Sequence, residues 1–401
     1  MNRNLRNITF LSLGHAVLDA YSSFLIPLLP LLALNLKLSP AQVGWLIPTM
    51  MITSSLFQPI YGLISDRYFK RAFAVAGPVI AAIFISSIGL ADSFPALLGL
   101  IIAGGIGIGA FHPQGAALAH RAAMDWNPAR QGLVMSIFSS SGTVGYALGP
   151  LMASMCVLWF GLENSSYTIV FGIVATAMLW MYCPELEPRV KTEDSPSLLE
   201  LLKAARVPLT ILYFAVVFRS AVSVSIQSYL PFWLQEQGLD LKNSSLVITG
   251  FIFFGGIGGF FGGALADRFG SRRVSMIAVV LSTPILLAGF LTHGALSYVL
   301  IMFGGMCLNL PLPISVVMAQ RLVPGGASTV SALVMGFAWG LGALMNPFTG
   351  KLSESFGLTN ALVIVAVVPL ISAFLFWCFP KDNFTVRKKI EVSQEAFVSG
   401  D

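Results

Sequence analysis

Twelve apolar runs, each long enough to cross a bilayer and separated by short polar links, dominate this chain. A spanning helix needs about 20 such residues. The runs occupy approximately 8–34, 41–65, 72–91, 95–120, 130–160, 166–184, 207–234, 244–266, 273–292, 296–320, 328–350 and 359–379. The links hold Gly, Pro, Asn, Asp or charged residues, which end helices. The pattern predicts an all-α membrane protein with twelve transmembrane helices. One link differs: residues 185–206 are rich in both signs of charge and divide six runs from six. The expected organisation is an N-terminal six-helix bundle over 1–184, a central loop over 185–206, a C-terminal six-helix bundle over 207–380 and a polar tail over 381–401.

Composition excludes the other broad classes. Charged residues make up 10% of the chain and hydrophobic ones 56%, whereas a soluble domain carries about 25% charged residues. Disorder needs far fewer apolar groups. The net charge of +5 is scattered between apolar runs rather than clustered on a polar domain, so no nucleic-acid partner is expected. The expected partners are the lipid bilayer, a small-molecule substrate and protons, with the chain acting as a monomer. Cys156, Cys183, Cys307 and Cys378 form no CxxC pair, so neither a disulfide framework nor a metal-ligand set is expected. Arg3 and Arg6 precede an apolar run without a small-residue cleavage site, which reads as a first spanning helix rather than a signal peptide.

Lys37, Lys242 and Lys351 are the basic residues on one side of this topology, and Arg219 lies within a run. The other Lys and Arg residues share a side with both termini. The positive-inside rule makes that side cytoplasmic.

The two halves repeat. Gly62-Leu-Ile-Ser-Asp66-Arg67 recurs as Gly263-Ala-Leu-Ala-Asp267-Arg268, Gly104-Gly105 as Gly304-Gly305, Arg121 as Arg321, and Leu133-Val134-Met135 as Leu333-Val334-Met335. Duplicated halves of this kind place a transporter's site at the interface between them, near mid-membrane.

Of the Asp, Glu, Lys and Arg residues two lie deep within runs, Asp19 in the first and Arg219 in the seventh. They occupy equivalent places in the repeat. Charges in hydrocarbon are costly and face a pathway or each other. The expectation is that Asp19 and Arg219 face each other across the pseudo-twofold axis, either as a proton-coupling pair or as a static ion pair that docks the halves. His15, one helical turn before Asp19, shares its face and carries a group suited to proton transfer. His112 precedes Pro113, which frees a backbone carbonyl. Asp19, His15, Arg219 and His112 are the candidate proton-coupling residues. Arg219, Asp19, His112, Gln114, Gln227, Tyr229, Asn309 and Trp339 are the candidate substrate contacts; Gln58 and Asn346 are further polar groups within runs. Each uncharged member of the set could equally bond a neighbouring helix. Gly142, Gly145 and Gly149, and Gly255, Gly259 and Gly263, are spaced to let a neighbouring helix approach closely. No P-loop, HExxH or GxSxG pattern is present, so neither ATP-driven nor hydrolytic chemistry is expected.

These loops resemble those of the major facilitator superfamily. The most specific element is Gly62…Asp66-Arg67…Lys70-Arg71 with its repeat Gly263…Asp267-Arg268-Phe-Gly270-Ser-Arg272-Arg273. In that family the loop latches the halves on the cytoplasmic side. The resemblance therefore implies a gating role for Asp66, Arg67, Arg71, Asp267, Arg268 and Arg272, with Arg121 at the same end. A narrower resemblance, to the fosmidomycin resistance proteins, rests on His15-Ala-Val-Leu-Asp19-Ala-Tyr21 and Gly109-Ala-Phe111-His112-Pro113-Gln114-Gly115. Gly145-Tyr-Ala-Leu-Gly149-Pro150 is similar to a stretch of proton-coupled exporters. Many exporters carry an arginine three residues before a Gln-Gly pair. Here Phe111 stands in that place, with His112 beside it as the available substitute.

The resemblance implies a non-enzymatic secondary transporter of the bacterial cytoplasmic membrane, working by alternating access. No cofactor is expected, and the energy source is the proton gradient. Export of small drug-like or metabolite compounds by proton antiport is the first expectation. Protonation of Asp19 would free Arg219 to hold an anion, and this keeps a proton-coupled importer of a small organic anion open. A receptor or scaffold without flux is the third reading.

Overall fold

The computed structural model describes residues 3–64, 71–127, 131–183, 202–323 and 327–380. Every secondary-structure element in them is helical. In lipid this follows from backbone chemistry, because a helix satisfies its N–H and C=O groups within one segment. The first ten runs contain α1 (Arg3–Phe24), α2 (Pro40–Met51), α3 (Ala72–Ser86), α4 (Phe94–Trp126), α5 (Gln131–Phe160), α6 (Ile169–Tyr182), α7 (Arg206–Glu236), α8 (Leu241–Phe269), α9 (Ser271–Leu291) and α10 (Gly294–Asn309). The last two runs are built of shorter pieces, among them Ala338–Ala343, Asn346–Phe356, Leu358–Val367 and Pro369–Cys378.

Eleven helical stretches among the described residues are long and apolar enough to span a membrane. The second run is not among them. It forms three consecutive pieces: α2, a π-turn at Ile52–Leu56, and Gln58–Ile64. The turn at Phe57 interrupts it. A second π-turn, Leu333–Phe337, interrupts the eleventh run just before Trp339. Large apolar side chains such as Leu34, Trp159 and Phe260 stand exposed on the outside, where lipid covers them.

Local chemistry sets the helix ends. Ser39 caps α2 reciprocally: its hydroxyl accepts from Gln42 N at 3.2 Å and its N–H donates to Gln42 Oε1 at 2.9 Å, a capping box followed by Pro40 at the first position. Between α8 and α9, Gly270 has φ of 90°, a conformation that a side chain disfavours.

Contacts divide the chain into two compact units, and these do not coincide with the sequence halves. One comprises Met1–Pro188, Val224–Phe253 and Ala343–Leu362. The other comprises Arg189–Ser223, Phe254–Gly342 and Val363–Asp401. The first unit gathers parts of both halves because α2 packs along Asn346–Phe356. Gly44 makes this approach possible: a Cβ there would lie 2.7 Å from Pro347 Cα. The second unit has an apolar core that includes Leu212, Val279, Ile314, Met318 and Phe376.

In the first unit α1 packs along α5. Gly142, Gly145 and Gly149 form the contact face, as their spacing predicts. A Cβ on Gly145 would collide with the Ala16 carbonyl, and one on Gly149 with Ser23 Oγ and the Ala20 carbonyl. The second glycine series behaves differently. In α8 the tight approaches are at Gly255, 3.1 Å from Asn309 Nδ2, at Gly258, against the Met306 carbonyl, and at Gly262, 2.5 Å from Leu310 O. Gly259 has 3.7 Å of room and Gly263 meets nothing within 4 Å. The close face of α8 is thus rotated from the predicted one.

Gly145→Ala is expected to lower the melting temperature of the purified protein, consistent with a cost of about 1–3 kcal/mol for overpacking. Gly99→Ala, also within a helix but with nothing within 4 Å, is expected to leave it unchanged or raise it, because Ala favours helix by about 1 kcal/mol. Differential scanning fluorimetry in detergent compares them.

Candidate functional site

Asp19 sits on α1 where the helix lies against α5. His15 is one turn earlier, and its Nε2 is 3.2 Å from Asp19 Oδ2. His112, from α4, places its Nε2 3.5 Å from Asp19 Oδ1. The fourth side is backbone: a Cβ on Gly142 would lie 2.5 Å from both Asp19 Oδ2 and His15 Cε1. His15 stacks on Phe138 with ring centroids 4.4 Å apart, and Phe111 lies 5.7 Å from it. Phe111, in the place where many exporters carry arginine, is therefore a wall of the histidine pocket.

One hydrogen bond fixes the protonation logic. His15 Nδ1 lies 2.8 Å from Phe138 O. A carbonyl only accepts, so Nδ1 carries the hydrogen. In a neutral His15, Nε2 would then offer a lone pair to a carboxylate oxygen that also offers lone pairs. As a direct hydrogen bond the 3.2 Å contact needs a proton between the two atoms, either as imidazolium beside carboxylate or as imidazole beside carboxylic acid. The donor atoms of His15, Asp19 and His112 all lie within 4.8 Å of one another. That spacing would also admit a metal ion, and it assembles only in three dimensions, because His112 is remote in sequence.

Arg219 occupies the equivalent place on α7, in the other unit. It is wholly buried. Its Nη1 donates to Asn309 Oδ1 at 2.9 Å, and the Trp339 ring centre lies 5.1 Å from Cζ. A glycine again supports the charged position. Gly342, which corresponds to Gly142 in the repeat, abuts Ser220 and Val217, and its Cβ would lie 2.8 Å from Ala221 N. Each buried charge thus has partners within its own unit: imidazoles for Asp19, an amide and an indole for Arg219.

The remaining candidates are distributed as follows. Gln114 is buried on α4. Gln227 Oε1 accepts from the Tyr146 hydroxyl at 2.6 Å. The Tyr229 hydroxyl donates to Pro40 O at 2.9 Å. Asn346 Nδ2 donates to Gly44 O at 3.0 Å and lies 2.8 Å from Ser228 Oγ. Gln58 Nε2 donates to Ser54 O within its own turn. Gln227, Tyr229 and Asn346 therefore tie helices together within the first unit, the bonding that polar groups in lipid commonly adopt. Tyr146, which the sequence analysis did not single out, is part of that seam.

Asp66 and Arg67 lie outside the described residues. Arg71 Nη1 donates to Cys183 O at 2.8 Å, at the end of α6. Arg272 Nε donates to Phe376 O at 3.2 Å and Nη2 to Trp377 O, at the end of Pro369–Cys378. Arg71 and Arg272 are repeat equivalents, and each satisfies carbonyls at a helix C-terminus, where a cation is also favoured by the dipole. Arg121 pairs with Asp125 one turn on, at 3.2 Å on an exposed surface. Asp267 and Arg268 stand at the end of α8, with Arg268 5.2 Å from the Phe269 ring.

Comparison with known proteins places this geometry. Residues 11–245 and 238–399 match the Major Facilitator Superfamily. The chain is 28% identical to the fosmidomycin resistance protein of Escherichia coli, over 93% of this chain and 92% of that one. It is 26% identical to the uncharacterized MFS-type transporter YfnC of Bacillus subtilis, over 94% and 93%. A solved bacterial homolog of the human lysosomal transporter Spinster has the same fold, with a TM-score of 0.81 at 17% identity, over 94% of this chain and 97% of that one. The match spans both halves and nearly every residue: the chain is a multi-pass membrane protein that belongs to the major facilitator superfamily.

Proposed function

We propose that the chain is a proton-coupled exporter of small drug-like or metabolite compounds in the bacterial cytoplasmic membrane, with both termini cytoplasmic. Secondary transport follows from the family. Proton coupling rests on one observation, the contact of Asp19 with the Nε2 atoms of His15 and His112. Export is supported by the likeness to a relative named for fosmidomycin resistance.

The site can take up and release a proton without moving its heavy atoms far. Phe138 O holds the His15 ring by Nδ1–H, so Nε2 and Asp19 Oδ2 share whatever proton is present. His112 offers a second position on Oδ1. Asp19 keeps 15% of its side chain exposed and His112 keeps 25%, which gives water a route to the cluster. Alternating access then turns occupancy into transport. A conformational change alters which side that water reaches, and the proton leaves on the other side. Arg71 and Arg272 hold helix ends in each unit, and with Asp66, Arg67, Asp267, Arg268 and Arg121 they make up the cytoplasmic latch of this reading.

A second reading, import of a small organic anion with protons, is favoured by Arg219, a buried cation whose partners in its unit are neutral. Direction separates the two. Disrupting the gene should raise cellular accumulation of an exported compound, and an uncoupler should abolish the difference between strains. A fall in accumulation on disruption would identify an importer. Screening a panel of labelled compounds, with and without uncoupler, measures this.

Gly142→Ala is expected to reduce gradient-driven flux by about tenfold or more, since its methyl group would push Asp19 and His15 apart at a cost of about 1–3 kcal/mol. Unchanged flux in proteoliposomes would mean that the cluster tolerates displacement and does not carry the proton.

A further inference from the structure

The Arg219 guanidinium carries one positive charge and five N–H donors with 0% of the residue exposed. The surroundings use little of this capacity. Nη1 donates to Asn309 Oδ1, while Nε and Nη2 have no hydrogen-bond partner. No described carboxylate within its unit pairs with it. Taking a cation out of water without a counter-charge costs several kcal/mol, and leaving its donors unbonded adds to that.

Its neighbours hold the guanidinium in one orientation. Asn309 cannot turn freely, because its Nδ2 donates to Gly305 O at 3.0 Å and its Oδ1 also receives the Ser223 hydroxyl at 3.4 Å. The amide oxygen is thereby fixed on Nη1, and the Trp339 ring covers the cation. The unused donors are not scattered. Nε–H and Nη2–H lie side by side on one edge of the plane, the edge that binds two oxygens of a carboxylate or phosphate at once.

We infer that the Nε–Nη2 edge of Arg219 is the binding site for an oxyanionic head group of the transported compound, a carboxylate, phosphonate or phosphate held side-on. This deepens the transporter reading above and rests on it only in taking the ligand to be cargo. The ligand supplies both things the site lacks, a negative charge and two parallel acceptors. An amide offers no charge and one acceptor; an amine adds a second cation. Both leave the edge as it is. Because Arg219 is buried in this conformation, the head group reaches it when the surrounding packing opens. Arg219 then discriminates among compounds that differ only at that end, whatever the bulk of the molecule.

The test is equilibrium dialysis of radiolabelled benzoate against the purified full-length protein in detergent, with benzylphosphonate, benzamide and benzylamine as competitors. No gradient is present, so the outcome is independent of proton coupling, and flux assays can fail or succeed separately. Saturable benzoate binding that benzylphosphonate displaces, and that benzamide and benzylamine do not, is expected. Arg219→Lys, which keeps the charge and loses the fork, should weaken binding by about ten- to a hundredfold. Asn309→Asp supplies an internal counter-charge and should weaken it by a similar factor in a protein that remains folded by gel filtration. The proposal is overturned if the wild type binds no benzoate, if benzamide competes as well as benzylphosphonate, or if folded Asn309→Asp protein binds benzoate as the wild type does.

Discussion

The close approach of α1 to α5 is the contact on which the central site depends. Two glycines on α5, Gly145 and Gly149, let its backbone touch the α1 carbonyls of Ala16 and Ala20. That approach brings Gly142 against Asp19 and His15, and Phe138 O onto His15 Nδ1. The carboxylate is then held between two imidazoles in an environment where an uncompensated charge is costly. A side chain in place of Gly142 would separate the partners before any chemistry began. Helix packing and the geometry of the cluster are thus one property of this helix pair.

Duplication explains the placement of the charges but not their chemistry. Asp19 and Arg219 are repeat equivalents, as are Gly142, which packs against Asp19, and Gly342, which packs against the neighbours of Arg219 on α7. The partners diverge. Asp19 meets histidines, groups that exchange protons near neutral pH. Arg219 meets an amide and an indole, which fix its plane and leave its charge unneutralised. One half surrounds its buried charge with imidazoles, the other with a neutral amide and an indole. The duplicated scaffold presents these two environments on corresponding helices.

Much of this was legible in the sequence, for definable reasons. Hydropathy marks spans because lipid admits few alternatives to a helix, and the observed helices follow the predicted runs closely. The second run escaped that rule: a π-turn and the break at Phe57 interrupt it, and hydropathy does not register local backbone geometry of this kind. His15 and Asp19 were readable as one helix face, whereas the approach of His112 required the packing of α4. Asn309 and Trp339 stand out in the sequence as polar or amphipathic residues within runs, but their convergence on Arg219 is a tertiary fact. For Gln227, Tyr229 and Asn346, sequence could not separate cavity lining from interhelical bonding, and the structure has them bonding across helices. The two glycine series share a spacing but not an outcome. All three glycines of the α5 series lie on a tight contact face, whereas in α8 Gly255 does and Gly259 and Gly263 do not, because helix rotation is set by the neighbour rather than by the glycines.

The central claim is that Asp19 and its histidines carry the coupling proton, and one variant tests it most directly. Asp19→Asn keeps the size of the side chain and removes the titratable group. In proteoliposomes loaded with a compound that the wild type transports, this variant should lose net flux driven by a pH gradient. It should still exchange labelled for unlabelled compound across the membrane, which requires alternating access but no net proton movement. Gradient-driven accumulation by Asp19→Asn at the wild-type rate would contradict the account.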